Sequence, residues 1–340
     1  MMCRTLSAGW ILLATGALAA CGPGEGSSVQ AQDSDDGWRR VQREGSVNLR
    51  KEYDLSGLLV PEREIHTLLE RDAIPALTDP KFELARDIDW LDDDDRVIVA
   101  EIGGEVVGTP LRILNFHEIV NMTVGGEPVA ATFCPLCDSA TLISRRVTRT
   151  DNQGRETEDI LEFGVSGALY NSNVIMYDRT DKGLWSQLGM RAISGPLAGT
   201  PLTHYPLSIV PFKEFRAQHP DAAVVSRDTG HDLGYFDDPY VWVFTSPGTI
   251  VPVRAVGEEL PMKTQGIGLL SRGEAIFVSA EAIPQDGLTI TTPDGDVELR
   301  RAGEGTTLSI RVERVPEGVK TAQTFYYAWS AFNPQTRVVR

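Results

Sequence analysis

The chain has 340 residues, of which 41% are hydrophobic and 24% are charged, a composition typical of a globular protein with a large core. Its formal net charge is −16, which argues against binding to nucleic acid and against electrostatic attachment to anionic lipid. The length corresponds to roughly two average domains, although single all-β domains also reach this size.

The N-terminus has the pattern of a bacterial lipoprotein signal. Arg4 supplies a positive charge, and residues 9–20 form an apolar stretch too short to span a bilayer comfortably. Leu18-Ala19-Ala20-Cys21 matches the lipobox, in which small residues precede the cysteine that receives the lipid. We therefore predict a signal peptide over residues 1–20 and a lipid anchor at Cys21. The alternative is an ordinary secretory signal that happens to contain a cysteine.

A lipid anchor at Cys21 would also determine the cellular location of the rest of the chain. Residues 21–37 are rich in Gly, Ser, Gln and Asp, have nothing to bury, and are expected to form a flexible tether. Gly22 is not the aspartate associated with inner-membrane retention, so the outer membrane is favoured if the source is Gram-negative. We expect residues 38–340 to form a single β-rich domain on the periplasmic face of the cell envelope, with the membrane as a partner through the lipid.

The residues that precede the β-rich body show no single secondary-structure pattern. Residues 55–79 have mixed helical spacing, which Pro75 and Pro80 interrupt. Residues 87–96 form an acidic segment with the composition of a solvated loop. Helix candidates further along are few and comprise residues 117–120 and 211–219.

From Arg96 onward, short β-type runs alternate with turn residues, as in an all-β body. The runs cover residues 97–102, 129–133, 140–147, 160–165, 173–177, 222–226, 241–244, 250–253, 266–270, 275–279, 288–291, 306–312 and 324–328. They predict a core that includes Phe133, Leu142, Phe163, Val165, Ile175, Tyr177, Val241, Val243 and Phe325. The predicted fold is mainly β with a few short helices, a β-rich α+β fold with a compact multi-stranded sheet or a barrel-like body.

A weak internal similarity links residues 95–107 to residues 263–276, since both read as strand, glycine turn and strand. A duplication would give two related β-halves that share a sheet. The alternative is that two hairpins of similar length arose independently.

Cys134-Pro135-Leu136-Cys137 is the segment whose side chains offer the most reactive chemistry. Once the signal is removed and Cys21 carries lipid, these two cysteines are the only thiols of the mature chain, too few for a disulfide scaffold. Thiols three positions apart can chelate a soft metal or oxidise to a disulfide. Apolar runs on both sides indicate a turn between strands, so the motif lacks the helix N-terminus of glutaredoxin-type redox motifs.

Three functions remain open for this pair. A structural zinc site needs four ligands, and no second C-x-x-C motif is present. The leading prediction is a metal-binding or metal-dependent site with Cys134, Cys137 and His117 as ligands, suited to copper or to an open zinc site. The first alternative is thiol–disulfide exchange by the cysteines alone. The second is a non-catalytic binding lipoprotein whose disulfide is structural. The sequence identifies no small-molecule or protein partner.

An ordered series of blocks resembles one family. The blocks run from about residue 74 to residue 334 and include Phe133-Cys-Pro-Leu-Cys137, Phe163-Gly-Val-Ser-Gly167 and Met176-Tyr-Asp-Arg179. In these blocks the chain resembles the bacterial and archaeal domain-of-unknown-function family 3179. The resemblance implies membership of a fold family and no particular chemistry. Met122 and Asn333 stand where the family more often has aspartate and histidine.

The densest block contains polar residues that could line a pocket near the cysteines. These candidates are Tyr170, Asn171, Ser172, Asp178, Arg179, Trp185, Ser186 and Gln187. The alternative is that they form turn hydrogen bonds, an Asp–Arg pair and a half-buried tryptophan, which are common at strand ends.

Overall fold

The structure is a computed structural model that describes residues 47–150, 153–236, 238–303 and 308–340. The predicted signal peptide over residues 1–20, the anchor Cys21 and the tether over residues 21–37 lie outside the described residues. Across the described ranges, no helix is both long enough and apolar enough to cross a membrane.

The described residues form mostly short strands. The strands are β1 (Ile65–Thr67), β2 (Leu77–Thr78), β3 (Phe82–Leu84), β4 (Arg96–Ile102), β5 (Glu105–Pro110), β6 (Ile119–Val124), β7 (Glu127–Cys134), β8 (Ser139–Ser144), β9 (Arg146–Thr150), β10 (Glu156–Ile160), β11 (Phe163–Tyr170), β12 (Asn173–Asp178), β13 (Leu184–Ser186), β14 (Arg191–Ala192), β15 (His204–Tyr205), β16 (Ser208–Pro211), β17 (Ala223–Val225), β18 (Gln265–Ser271), β19 (Glu274–Ser279), β20 (Leu288–Thr292), β21 (Gly295–Ala302), β22 (Ser309–Arg314), β23 (Lys320–Phe325) and β24 (Arg337–Val339). The α-helices are α1 (Leu49–Glu52), α2 (Leu111–His117), α3 (Phe212–Gln218), α4 (Val241–Thr245) and α5 (Tyr326–Phe332), and single 3₁₀ turns span Glu62–Glu64, Ala85–Asp87 and Ala280–Ala282.

A large central sheet organises the molecule. Its strand order is β2-β6-β7-β8-β23-β18-β19-β24, and β15 also pairs with β8. A second sheet has the order β1-β11-β12-β13-β14, and a third has the order β16-β4-β5-β17-β3. Strands β9 and β10 form a separate hairpin, and β20-β21-β22 form a small meander. These sheets confirm the predicted β-rich fold in its open-sheet form, because none of them closes into a barrel.

The hairpin β7–β8 places the cysteine turn inside the central sheet. Strand β6 pairs with β7 on one side, and β8 meets β23 on the other through the pair Ala140 and Gln323. Beyond that pair, β15 occupies the edge of β8, with His204 opposite Ile143. The tip of the hairpin therefore lies between β6 and β23, where β23 leads into helix α5.

The predicted core residues are buried with one exception. Phe133, Leu142, Phe163 and the other members of that set are at most 3% exposed, whereas Val241 is 62% exposed. Val241 is exposed because residues 241–245 form helix α4, which buries Val243 and turns Val241 outward. The strand predicted there is wrong, since burial of one helical face overrides the strand preference of Val and aromatic residues.

Other local predictions also need correction. Residues 250–253 form no strand, and the strand predicted over 324–328 ends at Phe325, where α5 begins. Residues 55–79, predicted from helical spacing, contain only a 3₁₀ turn and the short strands β1 and β2. The helix predicted over 117–120 lies earlier, because α2 ends at His117 and β6 begins at Ile119. The helix predicted over 211–219 is confirmed as α3.

Both hairpins of the weak internal similarity form. Strands β4 and β5 belong to the third sheet, whereas β18 and β19 belong to the central sheet. The two hairpins therefore do not share a sheet, as related halves of the predicted kind would require.

Candidate functional site

The two cysteines lie at the two ends of a tight hairpin turn. Cys134 ends β7 and pairs with Ser139 at the start of β8, and the amide of Cys137 donates to the carbonyl of Cys134. Asp138 takes the left-handed conformation, with φ of 48°, that turns the chain into β8. The sequence predicted this turn between strands from the apolar runs that flank the motif.

Strand β23 and helix α5 hold the turn in place. The amide of Phe325 and the hydroxyl of Thr324 both donate to the carbonyl of Cys137, at 3.0 and 3.2 Å. The hydroxyl of Tyr327 donates to the carbonyl of Leu136 at 3.0 Å. Because these donors come from β23 and α5, the geometry of the turn depends on residues nearly 190 positions away in the sequence.

Both cysteines are free thiols, and both are buried. Cys134 is 1% exposed and Cys137 is fully buried, and no disulfide joins them. Burial, and then the neighbouring thiol of Cys137, raises the pKa of Cys134 well above its usual value. The structural disulfide of the third predicted function is therefore not formed in this structure.

Amide side chains surround the sulfur of Cys137. The side-chain nitrogen of Asn173 lies 3.2 Å from that sulfur, 2.9 Å from Ser139 Oγ and 2.8 Å from Gln187 Oε1. Gln187 Nε2 donates to Thr132 Oγ1 at 2.8 Å, so the amide orientation is set by donors and acceptors on both sides. The sulfur therefore belongs to a buried polar network that links β7, β8, β12 and the segment after β13.

The predicted pocket residues divide between this network and other places. Gln187 belongs to the network, and Ser172 has a buried hydroxyl beside Tyr327 that makes no hydrogen bond of normal geometry. Asn171 accepts a hydrogen bond from the amide of Arg254, and Tyr170 packs edge-on against Phe332.

The remaining predicted pocket residues have structural contacts away from the thiols. Asp178 accepts hydrogen bonds from Trp185 Nε1 and from the amide of Asp181. Arg179 pairs with Asp72, and Ser186 Oγ accepts the amide of Gly189. These contacts are structural ones, although Arg179 pairs with Asp72 rather than with its neighbour Asp178, and Trp185 is fully buried.

His117 is engaged away from the thiols. Its Nδ1 lies 2.6 Å from the carbonyl of Pro75, and its Nε2 lies 2.6 Å from the hydroxyl of Tyr235. Burial lowers the pKa of this histidine to about 4. No group of three or more His, Cys, Asp or Glu side chains in the described ranges is placed to hold a metal ion. The three-ligand set of the sequence prediction is therefore not assembled, and metal binding by the sulfurs stays a prediction.

Glu118, the residue after His117, is a buried carboxyl close enough to Cys134 to act on its charge. It is 7% exposed, and burial raises the pKa of its carboxyl to about 8. Its negative form would act on Cys134 and on the hydroxyl of Tyr240, and it raises the pKa of both. Sequence reasoning missed Glu118, because its left-handed backbone, with φ of 55°, leaves no trace in residue spacing.

A cavity of about 200 Å³ lies over the outer side of the cysteine turn. Its lining includes Phe133, Pro135, Asp138, Tyr240 and the partly buried cation Arg96. Arg96 forms two hydrogen bonds with Asp138, at 2.6 and 3.0 Å, which fixes the residue that follows Cys137. Neither Cys134 nor Cys137 is among the residues that line this cavity.

The fold and this centre define a class of protein: an open-sheet, β-rich domain with a buried dithiol at the tip of a central hairpin. A family model described as a protein of unknown function, DUF3179, matches residues 71–300. The chain belongs to this family, as its sequence blocks indicated. The same comparisons give no match to a curated protein and none to a solved structure.

Proposed function

We propose that the protein is a cell-envelope lipoprotein with a thiol–disulfide redox centre formed by Cys134 and Cys137. The observation that carries the proposal is the pair of free, buried thiols at the two ends of one tight turn, which hydrogen bonds from β23 and α5 hold in place. Neighbouring sulfurs need little motion to form a bond, and a fixed turn can keep the same fold in both redox states.

The reaction requires a disulfide as the second reactant. One sulfur of the pair attacks the incoming disulfide, forms a mixed disulfide with it and releases one thiol. The other sulfur then displaces the second thiol and closes the Cys134–Cys137 bond. The protein loses two electrons and two protons, and the incoming disulfide gains both as it becomes two thiols. Both sulfurs are buried and neither lines the cavity, so a small disulfide that reaches them through a local opening of the turn fits the centre better than a large folded partner.

The donor arrangement favours this function over the metal-binding alternative. Both ring nitrogens of His117 are occupied, so only two soft donors meet at the turn. The cysteines also have the amide surroundings of neutral sulfur, since Asn173 and Ser139 contact Cys137 without a cation. Two sulfurs alone are sufficient for a disulfide, whereas zinc prefers four ligands.

Native mass spectrometry of the chain secreted into an oxidising compartment tests the proposal. We expect a metal-free protein whose mass rises by two hydrogen atoms after reduction, with both thiols then available to alkylation in denaturant. Cys134→Ser and Cys137→Ser should each remove this mass change. A stoichiometric copper or zinc ion that is lost from both serine variants would contradict the redox function and support metal binding instead. Retention of that ion in His117→Ala would further show that His117 is not a ligand.

We also propose that Cys21 carries lipid and holds the domain at the periplasmic face of the envelope, in the outer membrane if the cell is Gram-negative. The support is the lipobox and the polar segment over residues 22–37. Cells fed an alkyne analogue of palmitate should label the wild-type protein and not Cys21→Ala. Labelling that persists in Cys21→Ala, or a soluble wild-type chain that begins at Cys21, would contradict the anchor.

A further inference from the structure

A long connection between β17 and β18 runs over the cysteine turn. It spans residues 226–264, and α4 is the only helix or strand that the structure describes in it. We call residues 238–256 of this connection the cover. The backbone-to-backbone hydrogen bonds of the cover with described residues are confined to α4 and its flanks, where Val243 and Ser246 donate their amides. A segment that no sheet holds by its backbone opens locally at low cost.

The cover packs against the turn through apolar side chains. Val243 is 2% exposed and belongs to the same apolar cluster as Cys134 and Cys137. Phe244 packs edge-on against Phe325, with the ring centroids 5.4 Å apart. Apolar contacts have no fixed direction, so this face can separate without breaking the hydrogen bonds of a sheet. Movement of the cover would therefore uncover the thiols while β7, β8 and β23 stay paired.

The cavity of about 200 Å³ lies between the cover and the turn. Pro135 and Asp138 line it from the turn, and Tyr240 and Phe244 line it from the cover. Val241 also lines it and is 62% exposed, so the cover separates this space from solvent by a thin wall. Atoms that face a void lose part of their packing attraction. The cavity therefore marks the place where the cover parts from the turn most easily.

Lys263 holds the cover down from a fixed position outside it. The carbonyls of its two neighbours in sequence accept backbone amides from α5, at 2.9 and 2.8 Å. Its ammonium donates to the carbonyl of Val243, to the carbonyl of Ser246 at 2.6 Å and to Ser246 Oγ at 2.8 Å. An ammonium has three donors, and these contacts use all of them. The whole hydrogen-bonding capacity of Lys263 is thus directed at the C-terminal end of α4.

The other polar ties of the cover lie at its two ends. Asp238 accepts a hydrogen bond from an asparagine of α2 at 3.1 Å. Arg254 donates its amide to Asn171 at 3.1 Å and pairs with Glu64 at 2.9 Å. These ties fix the ends, whereas Lys263 supplies the hydrogen bonds that hold the middle over the thiols. Release of Lys263 would let the middle swing while the ends stay attached.

We propose that the cover opens as a unit to admit a small disulfide to the thiols, and that Lys263 is the latch that keeps it closed. The inference deepens the proposed redox function, since the cover then sets how fast a substrate reaches Cys134 and Cys137. Water solvates the ammonium and the freed carbonyls in the open state, which limits the cost of opening. Lids of this kind commonly control access to buried reactive groups.

Alkylation of the reduced, native protein by iodoacetamide measures the opening without a redox reaction. We expect both thiols to react faster than global unfolding allows, at a rate that low urea leaves unchanged, because a local opening exposes little surface. Lys263→Met keeps the side-chain length and removes the hydrogen bonds, so it should react roughly tenfold faster. Ser246→Ala removes one acceptor and should react roughly threefold faster. Lys51→Met, at an exposed lysine of α1, should match the wild type.

Amide hydrogen exchange shows which part of the molecule moves. In Lys263→Met, exchange at Val243 and Ser246 should rise by the same factor as alkylation. The amide of Phe325, which donates to the carbonyl of Cys137 at 3.0 Å, should keep its wild-type protection. Faster exchange at Phe325 would show that the turn itself comes apart, and this would overturn the proposed cover. Wild-type alkylation rates in folded Lys263→Met and Ser246→Ala would overturn the latch.

The cover and the redox function fail separately. Thiols that iodoacetamide reaches as predicted but hydroxyethyl disulfide never oxidises would overturn the redox function and support the cover. Thiols that hydroxyethyl disulfide oxidises equally fast in the wild type and in Lys263→Met would overturn the latch and support the redox function.

Discussion

Gln187 is the side chain that connects the most parts of the cysteine centre. Its amide contacts Ser139 and Asn173 on one side and Thr132 on the other, and the residue is fully buried. A buried amide that satisfies several partners contributes stability mainly because its loss leaves those partners unpaired. The sequence identified Gln187 as a pocket candidate from its family block, but it did not identify Asn173, which reaches the sulfur only because β12 begins beside the cysteine turn.

Truncation of Gln187 should be costly. Gln187→Ala removes one hydrogen-bond partner from each of Asn173, Ser139 and Thr132 and creates a void, so we expect a loss of about 3 kcal/mol in the free energy of unfolding. It should also speed alkylation of the native cysteines. Urea unfolding with the thiols kept reduced measures the first effect.

The matched control is Gln218→Ala at the exposed end of α3, where the amide has one long contact with Glu214. That variant should stay within about 0.5 kcal/mol of the wild type. Equal stability of the two variants would show that the amide network around Cys137 does not contribute to folding.

At the scale of elements, the sequence predicted β-hairpins well and the helices near the cysteine turn poorly. Strands β4, β7, β12 and β18 match their predicted runs closely, because alternation and glycine turns are local signals. Helices α4 and α5 are rich in Val, Trp, Phe and Tyr, residues that favour strands in isolation. Their helical form comes from packing against the central sheet, which a single sequence does not reveal.

Helix α5 packs directly on β18 through a glycine. A methyl group at Gly268 would overlap the ring of Trp329, which is fully buried and whose Nε1 donates to Thr336 Oγ1 at 2.9 Å. Because the ring has no room to move, Gly268→Ala should cost about 3 kcal/mol. It should also displace Tyr327 from Leu136 and so increase native alkylation of the cysteines.

Gly248→Ala is the control for this prediction, since a methyl group there meets no atom within 4 Å and the backbone is not left-handed. Thermal melts and alkylation rates of the two variants provide the comparison. If Gly268→Ala melts like Gly248→Ala, the contact between α5 and β18 does not support the cysteine turn.

At the scale of the whole molecule, three buried groups set the pH dependence of stability. Burial lowers the pKa of His117 to about 4, and burial together with the charge of Lys320 lowers that of His204 to about 3. Their stabilisation is present above the unfolded value near 6.5 and is lost as the pH falls. The contribution of Glu118 to stability has the opposite dependence on pH. Its raised pKa stabilises the fold at low pH, and this stabilisation is lost as the pH rises toward 8.

These signs predict a stability maximum near pH 6.5. Above it, Glu118 holds a proton that the unfolded chain has released, and the last protons leaving the unfolded histidines offset part of the loss. The free energy of unfolding should therefore fall by about 1 kcal/mol between pH 6.5 and 8. Urea titrations under reducing conditions measure this decline. Glu118→Gln should abolish it, whereas Glu101→Gln should keep it, and a decline that persists in Glu118→Gln would assign it to another group.

The central claim is that Cys134 and Cys137 form a reversible dithiol centre within an unchanged fold. The most direct measurement is an equilibrium titration of the folded chain in glutathione redox buffers, with chelator present, scored by alkylation and mass spectrometry. The account predicts that both thiols disappear together in one two-electron transition, with a tenfold change in the equilibrium constant for each change of about 30 mV. Near-UV circular dichroism should remain that of the folded protein throughout. A pair that stays reduced across the whole range, or that oxidises only as the protein unfolds, would contradict the account.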